Sequence, residues 1–334
     1  MRNHCKAAKK IAVRIFLFAA LFYVGELLIF ELTGAGVSSF ARKILNQMYM
    51  DNSIEAGFFG GSQILHGVDC DVAERELGKK TANLTSSQQP LAATDAVLRE
   101  TAIHHPELKT AYVSLDYSLV MAEEVNLESI YIVSDALKPS WNKLRYLLHA
   151  TPQEYYLNSF LPLKKGEEYS LSTERIRDNL NVLMDPSYQT RQYTGGFIPV
   201  EKMSQEDYMS SKEQYVGRSE RLPEENGQVQ IPSQSEWAIR DMIAFCQQRD
   251  IHLVFFATPV PEFLTDYVIN YEEYVDAVKD ILKDSGVTYL DYNCASFDRN
   301  CADYFHDEWH LSGTGAAEFT GLLCRDLIAE AEQK

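Results

Sequence analysis

A run of apolar residues from Ile11 to Leu32, IAVRIFLFAALFYVGELLIFEL, sets the first limit on what this chain can become. It is close to the ~20 residues an α-helix needs to cross a hydrocarbon core. Arg2, Lys6, Lys9, Lys10 and Arg14 precede or open it, and the same stretch holds no acidic residue. By the positive-inside rule, residues 1–10 then form a cytoplasmic tail and everything beyond residue 32 lies outside the cell membrane. No small-x-small cleavage pattern clearly follows, so residues 11–32 are expected to stay as a single-pass anchor. Arg14 and Glu31 can snorkel near the two ends. Glu26 is costly at depth; it is protonated, close to the outer interface, or paired with a partner helix.

The formal net charge is −17, and with the basic tail set aside the body is more acidic still. Such a body repels a phosphate backbone, so no nucleic acid partner is expected. The cysteines are scattered and none has zinc-ligand spacing with histidines, which leaves no metal or cofactor to expect. Cys246 and Cys324 fall on apolar helix faces and read as core. Cys294 and Cys301 bracket the loop NCASFDRNC. Outside the cytoplasm they form either a disulfide that stiffens the loop or two free thiols.

Residues 33–52 read as a part-helical juxtamembrane connector that lifts the body off the surface. From residue 53 to 334 strands and helices alternate. Short apolar runs end in turns at Gly60-Gly61, at SSQQP after Thr81–Leu84, after Leu108–Leu115, after Ile251–Ala257 and after Val287–Tyr292. Helical spacing fills Val72–Gly78, Leu91–His104, Gln234–Arg249, Phe263–Asp284 and Gly313–Glu332. That order predicts a flavodoxin-like α/β/α sandwich around a mostly parallel five-stranded sheet. Residues 118–232 exceed the pattern. They hold a helical hairpin (Trp141–Leu148, Glu154–Phe160), a helix over Arg175–Leu183 and a polar, Tyr-rich stretch without periodicity over Asp185–Gly227. This insertion is expected either to cap the carboxyl edge of the sheet or to pack without touching a ligand.

Two remote stretches carry the chemistry. In EAGFFGGSQILHGVD, Phe58 and Phe59 supply a buried strand, Gly60 and Gly61 a sharp turn, and Ser62 the first residue after it. In FHDEWHLSGTG, Asp307 stands three residues before His310, so a carboxylate can hold one imidazole nitrogen while the other faces outward as a base. Gly-Gly-Ser alone is often only a turn, and Asp307 alone is often only a helix cap. Both stretches follow strand ends on one sheet edge, where Ser62, His310 and Asp307 would assemble an activated nucleophile. Backbone N–H groups of Ser62 and Gln88 and the Ser118 hydroxyl are candidate oxyanion donors. His66, one helical turn beyond Ser62, reads as packed or solvated rather than as a substrate contact. Trp309 reads as packing its loop.

These blocks resemble the SGNH (GDSL-type) hydrolase superfamily over roughly residues 54–119 and 234–330. Gly60-Gly61-Ser62 stands where that family has Gly-Asp-Ser. NLTSSQQ (Asn83 to Gln89) resembles its second block, with Gln88 at the usual glycine, and Asp307-Glu308-Trp309-His310 resembles its closing Asp-x-x-His. The third block departs from the pattern: Asp116-Tyr117-Ser118-Leu119 replaces Gly-x-Asn-Asp, leaving Ser118 as positional stand-in for the asparagine donor. With its anchor and insertion the chain is also similar to cell-envelope acyl-transfer proteins, namely alginate O-acetyltransferases and the D-alanyl transfer protein of teichoic acid modification. The resemblance implies a serine esterase or O-acyltransferase acting on cell-surface glycan beside a membrane-bound O-acyltransferase. The alternative it leaves open is a catalytically inactive glycan-binding or scaffold subunit with the same fold.

Overall fold

In the computed structural model, residues 2–50, 53–122, 126–166, 168–188, 194–294 and 297–332 are described. The side chains of Arg2 and Lys6, the end of the connector (51–52) and the centre of the Cys294–Cys301 loop (295–296) lie outside the described residues.

Each expected strand forms. β1 (Ala56–Gly60), β2 (Thr81–Thr85), β3 (Thr110–Ser114), β4 (His252–Ala257) and β5 (Thr288–Asp291) make one parallel sheet. The spatial order is β2-β1-β3-β4-β5. The chain starts in the middle of the sheet, extends one way to β2, then returns past β1 to β3. Parallel strands need helical crossovers, and the reversal leaves a crevice outside the carboxyl ends of β1 and β3.

Side-chain alternation distributes the core over both faces of the sheet. Phe59, Leu84, Val113 and Phe255 face one way and pack on helices Leu91–His104, Ser233–Arg249 and Tyr271–Leu282. Phe58, Tyr112, Val254 and Phe256 face the other way, onto helices Ser62–Gly67, Cys70–Leu77 and Gly313–Glu332. Residues of both sets are almost wholly buried, as expected for strands covered on two faces. Cys246 and Cys324 belong to this core.

The N-terminal helix runs from Arg2 to Thr33 without a break. Its segment Lys9–Thr33 is long and apolar enough to cross a membrane. Phe16, Phe18 and Leu21 are each at least 70 % exposed on it. Its last turns behave differently: Glu26, Phe30 and Thr33 are buried against the body, and Glu31 pairs with Arg42 at 3.0 Å. The connector is no spacer. Helix Phe40–Leu45 buries Ile44 and Leu45 completely, Gln47 Nε2 donates to the Asn83 carbonyl at 3.2 Å, and Tyr49 donates to Glu100 at 3.0 Å.

The insertion contains more helix than its sequence pattern suggested. Beyond helices Trp141–Ala150, Tyr156–Phe160 and Thr173–Met184, it adds Leu127–Ala136, capped by Asn126, and Gln205–Tyr215, capped by Ser204. The expected single helix over 263–284 is two, Glu262–Tyr267 and Tyr271–Leu282. At the break, Tyr267 and Ile269 give their backbone groups to Glu220, and the Asn270 amide accepts from Leu222 N and donates to the Leu222 carbonyl.

Candidate active site

β1 ends where it touches β3, and the two glycines there answer to crowding. A side chain at Gly60 would overlap the Ser114 hydroxyl, and a Cβ at Gly61 would lie 2.6 Å from Leu119 Cδ1. The turn delivers Ser62 as the first residue of helix Ser62–Gly67, whose Ile64 and Leu65 N–H groups close on the Gly61 carbonyl at 3.1 and 3.2 Å. Asn83, fully buried on β2, clasps the other end of this helix: its Nδ2 donates to the Ile64 carbonyl at 2.7 Å and the Val68 carbonyl at 3.3 Å.

The second half of the site is a tight loop. Phe305 and Leu311 form an isolated bridge, and His306 N donates to the His310 carbonyl at 2.9 Å. Inside the loop Asp307 Oδ1 accepts from the backbone N–H of Trp309 at 2.7 Å and of His310 at 2.8 Å. His310 Nδ1 meets Asp307 Oδ2 at 2.8 Å, and His310 Nε2 meets Ser62 Oγ at 2.8 Å. Serine, histidine and carboxylate, separated by almost the whole length of the domain, therefore form one continuous hydrogen-bonded chain. Burial by itself would raise the Asp307 pKa. The hydrogen bond and charge of His310 and the two backbone donors outweigh it and hold the carboxyl below its ordinary value. A carboxylate that stays ionised fixes Nδ1 as the donor and leaves Nε2 free to take a proton from Ser62.

Residues 197–203 of the insertion lace the two halves together. Ile198 N donates to the Leu65 carbonyl at 3.0 Å, Gly313 N to the Val200 carbonyl at 2.8 Å, and Met203 N to the Phe305 carbonyl at 2.9 Å. His66 Nδ1 lies 2.8 Å from the Ile198 carbonyl, and His306 Nδ1 lies 2.6 Å from that of Glu201. Sequence reasoning placed His66 as packed or solvated; it is packed, with its ring edge-on to His310 at 5.3 Å.

Ser62, His310, Gln88 and Ser118 open into a cavity of about 490 Å³ whose wall includes Leu91, Ala92, Leu119, Ala122, Ile130, Ala150 and Trp309. The front of the insertion thus lines the carboxyl edge, while its rear straps the outside. The expected caps and donors fall at this mouth. Gln88 adopts a left-handed backbone (φ 49°), a conformation that glycine takes more readily than any other residue. The N–H groups of Ser62 and Gln88 have no protein acceptor among the described residues. Asn126, which pattern reasoning missed, lines the cavity, donates to Gln88 Oε1 at 2.6 Å, and caps the next helix through Ser129 N at 3.2 Å. Its signal was the Asn-x-x-Ser step before an apolar run. Asp116, just beyond β3, turns inward: its Oδ1 accepts from Thr258 N at 2.9 Å and Thr258 Oγ1 at 2.6 Å. Burial pushes that carboxyl up to about 6.

Cys294 and Cys301 are both free thiols, because Cys294 turns its Sγ toward Asp291 Oδ2 at 3.3 Å instead of across the loop. In the Tyr-rich rear of the insertion, Tyr208 is buried and donates to the Arg299 carbonyl at 3.0 Å, and Tyr215 packs against Phe263 and Tyr267. Trp309 packs near Tyr117, with ring centroids 6.0 Å apart, and also forms cavity wall. Comparison with protein-family models and with curated proteins finds no match to this chain.

Proposed function

We propose that the protein is a membrane-anchored, extracytoplasmic serine acyltransferase or esterase of SGNH type, acting on O-acyl groups of cell-envelope polysaccharide. The observation that carries this reading is the 2.8 Å contact of His310 Nε2 with Ser62 Oγ, backed by Asp307. In the reaction, His310 takes the Ser62 proton as Oγ attacks the ester carbonyl carbon. Asp307 stabilises the imidazolium, and the Ser62 and Gln88 N–H groups receive the charge on the tetrahedral oxygen. His310 then protonates the departing alkoxide as its C–O bond breaks, leaving the acyl group on Ser62. A glycan hydroxyl gives transfer and water gives hydrolysis. An apolar, partly roofed cavity supports transfer, because it limits water at the acyl-enzyme.

The helix Lys9–Thr33 supports anchoring with the basic end inside. A tether raises the local concentration of the site at the envelope and beside a membrane-bound acyltransferase partner. A second reading, a non-catalytic glycan-binding scaffold, draws on Ser118 standing where the family has an asparagine. A fluorophosphonate probe separates the two. Ser62 in the full-length protein should be labelled, and S62A should not be. Failure of wild-type protein to label, with polysaccharide binding retained, would make it the scaffold.

A further inference from the structure

A second cavity, of about 180 Å³, lies where the N-terminal helix meets the insertion. One wall is the end of that helix: Tyr23, Leu27, Phe30 and Glu31. The other includes Ser140, Lys143 and Lys165. Asp135 lines it as well, so its two carboxylates and two lysines balance in number, and Arg42 beside Glu31 tips the surroundings to net positive. Glu31 is paired with Arg42 at 3.0 Å, and Lys165 is paired with Asp135 in a buried contact. Lys143 has no carboxylate within ion-pair distance among the described residues; its Nζ donates to the Leu137 carbonyl at 3.0 Å. An ammonium in such a place lacks an anion. Just outside, Leu157, Leu163 and the helix face carrying Phe22 and Leu28 are exposed and apolar.

We propose that this cavity holds the phosphate of an anionic membrane lipid, with Lys143 as its counter-charge and Ser140 at its rim. The inference rests on the reading that helix Lys9–Thr33 crosses the membrane with the body outside. On that reading the cavity stands at headgroup depth, and the exposed leucines and phenylalanines lie where acyl chains run. Such a lipid would fix the tilt of the body on its helix, and hence the height of Ser62 above the bilayer. Burial, first, and the nearby Lys165 and Arg42 hold the Lys143 pKa down, to about 8, against the opposing fields of Asp135 and Glu31.

The test uses full-length protein in a neutral detergent and follows Tm as ligands are added. Phosphatidylglycerol at about a hundred times its Kd should raise Tm by ~5 °C. Diacylglycerol and inorganic phosphate should each leave it unchanged, K143Q should lose the rise, and K143R should keep it. In wild-type protein the rise should fade between pH 7 and 9.5 as the ammonium loses its proton, a readout that needs no variant. An equal rise in K143Q, an equal rise with diacylglycerol, or an equal rise with inorganic phosphate each overturns the proposal. Incorporation of the protein into vesicles of uncharged lipid tests the anchor separately, so loss of that step and loss of the lipid site are distinguishable.

Discussion

His66 and His310 stand edge to face with ring centroids 5.3 Å apart, and only His310 reaches Ser62. Burial, above all, lowers the pKa of His66 from its ordinary 6.5, and the neighbouring His310 and His306 push the same way, against the Ile198 carbonyl and Asp307. A base that is harder to protonate in the folded protein makes no difference to stability at pH values where both states leave it neutral. As pH falls below 6.5 the unfolded chain takes up the proton first, so folding free energy declines until the depressed folded pKa is passed. The H66F variant should therefore show a flatter loss of urea stability between pH 6.5 and 5 than wild type. Equal slopes would mean that His66 is not held neutral.

Asp307 is a stronger case. Its Oδ1 is already committed to two backbone N–H groups at 2.7 and 2.8 Å. In D307N the amide oxygen would stay on those donors, and the NH₂ group would face His310 Nδ1. That reverses the tautomer, because Nδ1 must then accept, and it puts the proton on Nε2, where a base needs a lone pair. We expect the fold to survive and ester turnover to fall ~10³–10⁴-fold. Kinetics on an activated acetyl ester, with circular dichroism as the control, measures both. Because the Asp307 carboxyl is held below its ordinary 3.8, its share of wild-type stability is present above that pH and drains away as pH falls through the lowered value.

The G60A variant tests why the nucleophile turn is built from glycine. The added methyl meets the Ser114 hydroxyl across the β1–β3 seam, and overpacking of this kind costs ~1–3 kcal/mol. Removing the obstacle in G60A/S114A should restore part of that loss in urea denaturation. If the double variant is no more stable than G60A alone, the crowding lies elsewhere.

What the sequence made legible follows from which features leave a side-chain signature. The strands did, because Phe58/Phe59 and Leu253–Phe256 are apolar on both faces. The Ser62 and Asp307–His310 turns did, because residue type and spacing define their chemistry. Helix Gln205–Tyr215 did not: Tyr208 is its only buried residue, so no apolar period exists to read. Its one trace was the N-cap serine, with Asp207 N donating to Ser204 Oγ at 3.0 Å and that hydroxyl donating in turn to Asp207 Oδ2 at 2.6 Å. The strap 197–203 works through backbone groups that every residue carries, which hides it from any pattern. The connector misled for another reason. Arg42, Lys43, Asn46 and Gln47 look solvent-loving, yet all four are buried, Arg42 on Glu31 of the N-terminal helix and Gln47 on Asn83 of β2.

Gln88 offers the last test, because its conformation and its side chain pull in opposite directions. A left-handed backbone at φ 49° costs an L-residue ~1–2 kcal/mol relative to glycine. Its Oε1 accepts from Asn126 Nδ2 at 2.6 Å, a contact that contributes ~0.5–1.5 kcal/mol. Q88G removes both, so its stability should stay within ~1 kcal/mol of wild type. The backbone N–H of residue 88, in the wall of the cavity that Ser62 also lines, is retained, and turnover of the activated ester should hold within about threefold. N126A, by contrast, strips the cap from helix Leu127–Ala136 and should lower stability by ~1 kcal/mol. A fall of ~10²-fold or more in Q88G turnover would mean that the glutamine amide, not the peptide N–H, meets the reacting oxygen, and the oxyanion site would have to be redrawn around the Gln88–Asn126 pair.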